Sequence, residues 1–253
     1  MSAVRSLVAI LLLVLLGAAR DPILVPEVSQ HEIQVRQGFT GTELLLFGAI
    51  LNPDGTRAAL GYDIVVVLKG PSRSITLREK AKVAGIWINA ESTEFRSAPT
   101  FFAVASSRPI AQIVDERTAA IYELGLPWLQ LSPIGAIDPE EQTRFSAGLV
   151  DLMRRQDLYQ QNESAVKVSA DVLYQARIAL PSTVQIGTYT AETFAISRGK
   201  VVAASSTTVE VRKLGFERFV ARAADQQALW YGLFAVAMSV SMGWIAGRLF
   251  ALV

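Results

Sequence analysis

Four basic side chains fall within ten consecutive residues of the sequence and form a candidate binding surface for an anionic group. They are Arg73, Arg78, Lys80 and Lys82, in the stretch GPSRSITLREKAKVAGIWIN (residues 70–89). Clustered cations attract nucleic acid, anionic lipid headgroups or an acidic protein surface. Which of these applies depends on the compartment that the chain occupies and on the element that carries the four residues.

Alternation within the same stretch predicts a strand. Ile75 and Leu77 alternate with polar or charged neighbours, so the basic residues project mostly to one side of an antiparallel pair. A solvated hairpin face is the simplest interpretation, because charged residues on a strand also discourage aggregation at its edge. Contact with anionic lipid headgroups or with a partner is the functional alternative. Trp87 is expected to pack in the core.

The residues needed for common catalytic and metal sites are almost absent. The chain contains no cysteine and one histidine, His31, which excludes disulfides, thiolate nucleophiles, iron–sulfur clusters and multi-histidine metal sites. Ser164 and Lys167 match a Ser-x-x-Lys pattern, but no Lys-Thr-Gly accompanies them. No catalytic residue, cofactor or metal site is therefore assigned.

The elements that position these residues begin with an export signal. Hydrophobic residues make up 51% of the chain and are concentrated at its two ends. Arg5, an apolar run and a small-residue cleavage site predict a signal peptide over residues 1–19. An uncleaved anchor is the alternative, but the run is shorter than the roughly 20 residues that span a bilayer. The chain is exported in either case, so nucleic acid is not an expected partner.

A second apolar segment, residues 228–250, predicts one transmembrane helix at the C-terminal end. Residues 228–247 carry no charge, and aromatic residues lie at both ends, as in membrane-spanning helices. Because a signal peptide directs translocation of the chain on its C-terminal side, residues 20 to about 227 are expected to lie outside the cytoplasm. Only residues 248–253 then reach the cytoplasm, with no room for a cytoplasmic effector domain.

Small residues recur every fourth position along this helix. They are Ala235, Ser239, Gly243 and Gly247. A stripe of this kind lets another helix approach closely. It predicts contact with another integral membrane protein or with a second copy of the chain.

The pattern between the two ends predicts a mainly β, immunoglobulin-like sandwich with a helical insert. Its first strands occupy residues 20–107, the insert 108–164 and the closing strands 165–213, followed by a juxtamembrane helix over 214–227. Two small sandwiches are the alternative. The continuously apolar stretches 42–51 and 62–70 predict strands covered on both faces.

Within the insert, Asp138, Pro139 and Glu141 predict the start of a helix. Its apolar face is expected to contain Phe145, Leu149, Leu152, Gln156 and Tyr159.

Several segments together resemble a family of alphaproteobacterial transmembrane proteins of unknown function. They are FTGTELLLFGA (39–49), YDIVVVLKGP (62–71), GIWIN (85–89), SSRPI (106–110), LPSTVQIGTY (180–189) and GFERFV (215–220), ahead of YGL and GW in the last helix. The resemblance implies an inner-membrane protein with a periplasmic domain and a partner such as a transporter. It brings no established activity and no catalytic residues.

These observations favour a membrane-anchored accessory or binding module over an enzyme. A periplasmic enzyme of unrecognised type and a solute-sensing subunit are the alternatives. The fold separates them, because a deep polar cleft would favour an enzyme and a filled sandwich core would favour the accessory role.

Overall fold

The structure, a computed structural model, describes residues 22–36, 38–51, 61–135, 137–170, 172–213 and 224–250. The predicted signal peptide and residues 214–223 of the predicted juxtamembrane helix lie outside these ranges.

Twelve strands among the described residues form two packed sheets and one separate hairpin. The first sheet contains, in spatial order, β1 (Ile23–Val28), β3 (Gly41–Leu51), β10 (Leu173–Pro181) and β9 (Lys167–Ser169). The second contains β2 (Glu32–Val35), β12 (Lys200–Lys213), β11 (Gly187–Ser197), β4 (Asp63–Lys69), β7 (Phe102–Ser106) and β8 (Tyr159–Asn162). The hairpin consists of β5 (Ser72–Val83) and β6 (Ile86–Pro99).

The strand order is that of an immunoglobulin-like sandwich, which confirms the predicted fold class. The N-terminal strand segment is divided between the two sheets. Strand β1 pairs antiparallel with β3, whereas β2 pairs parallel with β12. The order β1-β3-β10-β9 corresponds to strands A-B-E-D, and β12-β11-β4 corresponds to G-F-C. One continuous hydrophobic core joins both sheets, so the chain forms one sandwich and not two.

A tyrosine corner closes the loop between β10 and β11. Tyr189, the third residue of β11, donates its hydroxyl to the backbone carbonyl of Gln185 at 2.8 Å, and its ring is fully buried. Burial raises the pKa of Tyr189 to about 12, so the hydroxyl stays protonated and remains a donor. In antibody domains the position two residues after this tyrosine is a disulfide cysteine, and here it is Ala191.

The two strands predicted to be covered on both faces differ in their burial. Residues Ile64 to Leu68 of β4 are completely buried, as predicted. In β3, by contrast, Leu44, Leu46 and Ile50 are buried while Phe47 is 37% exposed. The prediction for β3 was wrong because no described element packs on the outer face of the four-stranded sheet.

Three helices of the insert flank the six-stranded sheet. They are α1 (Ile110–Ile113), α2 (Glu116–Tyr122) and α3 (Pro139–Arg155), with a 3-10 turn at Leu126–Trp128. The ring of Tyr122 in α2 lies edge-on to Phe194 of β11, with the centroids 5.5 Å apart. The α2 segment therefore covers the outer face of the central strands, which explains why β4 is buried on both sides.

Helix α3 begins as predicted, but its buried face is different. The Asp138 side chain accepts a hydrogen bond from the Glu140 backbone N–H at 2.9 Å. The buried residues are Phe145, Leu149 and Met153, at i, i+4 spacing, whereas the predicted Leu152 is 42% exposed. The helix ends at Arg155, so the predicted continuation through Gln156 to Tyr159 was wrong; Tyr159 starts β8 instead.

Candidate functional site

The hairpin β5–β6 extends the strand pair β4–β7 beyond the edge of the sandwich. Between the two pairs, Gly70 N–H donates to the Phe101 carbonyl at 2.8 Å, and Thr100 N–H donates to the Pro71 carbonyl at 2.9 Å. The antiparallel ladder is therefore continuous from the buried sheet into the hairpin. Strand β4 is fixed in the core, so it positions the root of the hairpin.

The hairpin leaves the sandwich at the end of the sheet where β12 also ends; we call this end the hairpin pole. Lys69, the last residue of β4, pairs with Thr190 of β11, which pairs with Thr208 near the end of β12. Gly187 confirms the proximity, because a Cβ built on it would lie 2.9 Å from the Pro71 ring. Strand β12 therefore ends, at residue 213, at the same pole as the hairpin.

Two residues with positive φ form the turn of the hairpin. Ala84 has φ 50° and Gly85 has φ 89°, and their neighbours Val83 and Ile86 face each other across the strands. Positive φ at both central residues is the type I′ geometry, which matches the twist of a two-residue hairpin. The turn fixes the side chains on either side of it in register.

Four large apolar side chains at this turn are exposed, and we call them the apolar tip. They are Val83 (52% exposed), Ile86 (67%), Trp87 (66%) and Ile88 (45%). The expectation that Trp87 packs in the core was wrong, because the ribbon at that point has already passed the edge of both sheets. The sequence does contain one local signal for the tip. The Ala-Gly pair lies between two segments in which apolar and polar residues alternate, and this pattern indicates a hairpin turn.

The four predicted basic residues are all exposed, and three of them share a face of β5. Arg78, Lys80 and Lys82 alternate along the strand, opposite Ser92, Asn89 and Trp87 of β6. Arg73 has the opposite strand parity and lies at the root of the hairpin, where its charge acts on the Tyr189 hydroxyl. Within the described ranges, no carboxylate forms an ion pair with any of the four.

Helix α3 supports the inner half of the hairpin and places one arginine between two of its acidic residues. Arg144 forms ion pairs with Glu79, at 3.4 Å, and with Glu91. Leu77 lies beneath Gly148, at 3.6 Å from the position that a Cβ would occupy. The outer end of the hairpin, residues 80–90, then carries two lysines and no acidic residue.

A second charged cluster joins the sheet to α2. The ammonium of Lys69 lies 2.7 Å from Glu123 and 3.1 Å from Glu192. Burial acts to lower the pKa of Lys69, but the hydrogen bonds to Glu123 and Glu192 outweigh it and raise that pKa. A lysine held in its charged form is a structural cation and not a nucleophile.

The surface also contains an open groove of about 870 Å³ between α3 and residues 126–133. Among the described residues that line it, the charged ones are Asp151 and Arg154, on the helix side. Asp151 is paired with Arg155 at 2.7 Å, so the groove offers no pair of free acid–base groups. In the part of the chain that the structure describes, no three His, Asp or Glu side chains are placed to hold a metal ion.

The outer face of the four-stranded sheet carries an apolar area that we call the outer-sheet patch. It contains Ile23 (47% exposed), Val25 (52%), Phe47 (37%) and Leu173 (55%). These residues lie on one face because Val25 and Leu173 both pair with Ala49, two positions from Phe47. No described residue of another element packs over them.

The last helix, α4 (Ala228–Phe250), is long and apolar enough to cross a membrane, with a mean hydropathy of 1.5 over 18 residues within Ala228–Arg248. The stripe residues Ala235, Ser239, Gly243 and Gly247 are exposed along it. Ser239 donates its hydroxyl to the Ala235 carbonyl at 2.9 Å, and Ser241 to Met238 at the same distance. Both hydroxyls are satisfied within the helix, as an apolar environment requires.

Comparison with known proteins gives one family match. A family described as "Putative transmembrane protein (Alph_Pro_TM)" matches residues 23–251, which include the whole sandwich and α4 up to its last residue. A search of curated proteins gave no match.

Proposed function

The chain belongs to this family of transmembrane proteins, and from that premise we propose that it is an accessory or binding module of the inner membrane. In this proposal α4 anchors the chain, the sandwich lies in the periplasm and the residues after α4 reach the cytoplasm. The module acts by holding another integral membrane protein, such as a transporter.

The outer-sheet patch is the observation that carries the binding role. Large contiguous apolar patches are rare on the surface of monomeric soluble proteins, and such patches mark interaction sites. Here four large side chains from three strands lie together on a rigid sheet. Such a surface loses little conformational entropy on binding, which favours a specific protein contact.

The filled interior of the sandwich supports the same proposal. The side chains of both sheets meet in one core, and the largest of them, including Tyr174, Phe101 and Phe102, are fully buried. The charged clusters around Lys69 and Arg144 are satisfied by ion pairs within the chain. Binding at the surface therefore suits the architecture better than catalysis in a cleft.

The proposal is tested by affinity purification of the full chain from membranes in mild detergent. Val25→Lys with Leu173→Lys places two charges on the outer-sheet patch, where a partner would have to desolvate them. We expect the double variant to melt like the wild type and to lose the co-purified membrane protein.

Thr208→Lys is the matched control, since Thr208 is also an exposed strand position and lies on the other sheet. It should retain the partner. If the patch variant retains the same partner at the same yield, the patch is not the binding surface and the proposed role fails.

A further inference from the structure

The outer end of the hairpin is an amphipathic ribbon. Val83 faces Ile86 and Ala81 faces Ile88 across the strands, so one face is entirely apolar. On the opposite face Lys82 pairs with Trp87, and Lys80 pairs with Asn89. A tryptophan beside lysines, at the rim of an apolar surface, is the arrangement that proteins use at the boundary between lipid tails and headgroups.

No described residue covers the apolar tip, so its side chains face water. A two-stranded hairpin is marginally stable in water unless one face is covered. The inner half of this hairpin is covered by α3, through Leu77 and the Arg144 ion pairs. The outer half has the more apolar face and no such support, so its side chains are available to an external surface.

The charge of the outer end fits an anionic surface. Lys80 and Lys82 are its only charged residues, and the acids nearest to them, Glu79 and Glu91, are paired with Arg144. Arg78 lies on the same face as the two lysines. With Arg144 set against Glu79 and Glu91, one negative charge remains against Arg78, Lys80 and Lys82, so this part of the hairpin keeps a net charge of +2 toward the membrane.

The tip can reach the bilayer that α4 crosses. The hairpin and the connection to α4 both start from the hairpin pole. Twelve residues of β5 extend about 40 Å at the usual rise of a strand. In the connection, residues 224–226 are helical, and residues 214–223 can span at most about 35 Å. The two lengths are similar, so the tip and the start of α4 can meet the membrane together.

We infer that the apolar tip docks on the anionic lipid surface of the membrane, with its apolar face in the interface and Lys80 and Lys82 at the headgroups. Trp87 then lies at the level where the tails meet the headgroups. The sandwich is held at two points, α4 and the hairpin, and its orientation over the bilayer is fixed. The inference rests on the proposed membrane anchoring but not on the proposed partner.

The test measures the depth of the tip in a membrane that contains no other protein. The chain has no cysteine, so Val83→Cys provides a unique labelling position at the tip. The full chain, labelled there with an environment-sensitive fluorophore, is reconstituted through α4 into phosphatidylglycerol-containing vesicles. We expect quenching by brominated lipids and protection from aqueous iodide.

The matched control is the same label at Lys200→Cys, the first residue of β12, beside the tight turn that joins it to β11 at the opposite end of the sheet. This label should be quenched by iodide and not by brominated lipid. Resistance to carbonate extraction verifies that α4 is inserted in both samples. Equal quenching of both labels by iodide would overturn the inference.

The charge contribution is measured by adding Lys80→Gln and Lys82→Gln to the labelled chain. Each neutralised lysine should lower the equilibrium constant for insertion of the tip about fivefold in anionic vesicles. In phosphatidylcholine vesicles the same changes should have little effect. If the substitutions have the same effect in both kinds of vesicle, the basic residues do not interact with the headgroup charge and that part of the inference is wrong.

A protein occupant gives a different result. The tip label would then stay exposed to iodide in lipid vesicles and become protected only in native membranes. That outcome would reject the lipid surface as the occupant without affecting the outer-sheet patch, whose test depends on co-purification and not on the hairpin.

Discussion

A carboxylate at the start of β4 is held by two residues just after β7. Arg108 Nε donates to Asp63 Oδ1 at 2.8 Å, and the Ser107 hydroxyl donates to the same oxygen at 3.0 Å. The hydrogen bond from Arg108 lowers the pKa of Asp63, burial opposes it, and the Ser107 hydroxyl adds to the lowering. The ionised form of Asp63 therefore ties the two strands together at the end opposite the hairpin pole.

This arrangement predicts a dependence of stability on pH. The folded pKa of Asp63 is below the unfolded value of about 3.9. The stabilisation is thus complete above about pH 4 and is lost as the pH falls through the folded pKa. Asp63→Asn should lower the free energy of unfolding at pH 7 by up to about 1 kcal/mol, because Arg108 is half exposed and solvent weakens the pair.

Denaturant titration of wild type and Asp63→Asn at pH 7 and below pH 3 provides the measurement. The difference between them should shrink at the lower pH. Asp151→Asn is the control, since Asp151 pairs with Arg155 on the exposed surface of a single helix and should cost less. A difference for Asp63→Asn that is the same at both pH values would contradict the prediction.

Among the elements, α4 differs from the others because none of its apolar span is buried against the described chain. In lipid there is no hydrophobic gain when helices pair, so close backbone packing must supply the attraction. The stripe of small residues permits that approach, and a Cβ built on Gly243 or Gly247 would lie more than 4 Å from any described atom outside the adjoining helix backbone. The predicted contact of this stripe with another helix remains a prediction.

Two glycine substitutions test that contact. Gly243→Ile with Gly247→Ile should hold a neighbouring helix away while keeping α4 apolar, so insertion should be normal and crosslinks to the partner should be lost. Leu233→Ile, off the stripe, is the control and should preserve the crosslinks. If the double variant crosslinks as well as the wild type, or if a polyleucine helix preserves function, α4 is only an anchor.

For the molecule as a whole, the predicted signal peptide and α4 together set the proposed orientation. Large domains translocate largely regardless of their charge, so Arg212 and Lys213, on the side proposed to be exported, do not oppose it. Arg248, over the ring of Trp244 with 5.5 Å to the centroid, lies at the end of α4 that should face the cytoplasm.

Introduced cysteines test this orientation in the intact chain. Lys200→Cys, in the sandwich, should react with a membrane-impermeant maleimide added to spheroplasts. Val253→Cys, after α4, should react only once the membrane is opened. Labelling of Val253→Cys in intact spheroplasts would show that the proposed orientation is wrong.

The sequence by itself determined the features that depend on local pattern. Period-2 alternation and apolar runs predicted the mainly β sandwich, the Asp138-Pro139 pair predicted the start of α3, and the uncharged segment predicted α4. The family resemblance also came from short motifs spread along the chain, and it is confirmed by the match over residues 23–251. In each case the feature can be recognised from residues that lie close together in the sequence.

The tertiary structure decided which faces are covered. Stretches 42–51 and 62–70 look alike as sequence, yet α2 covers β4 and no described element covers β3, which leaves the outer-sheet patch. Trp87 has the composition of a core residue, but β5 and β6 continue past the edge of both sheets, so it is exposed. The position of the hairpin beside the end of β12 depends on the pairing of Lys69 with Thr190, two residues that lie far apart in the chain. Burial depends on such distant contacts, and a local pattern carries no information about them.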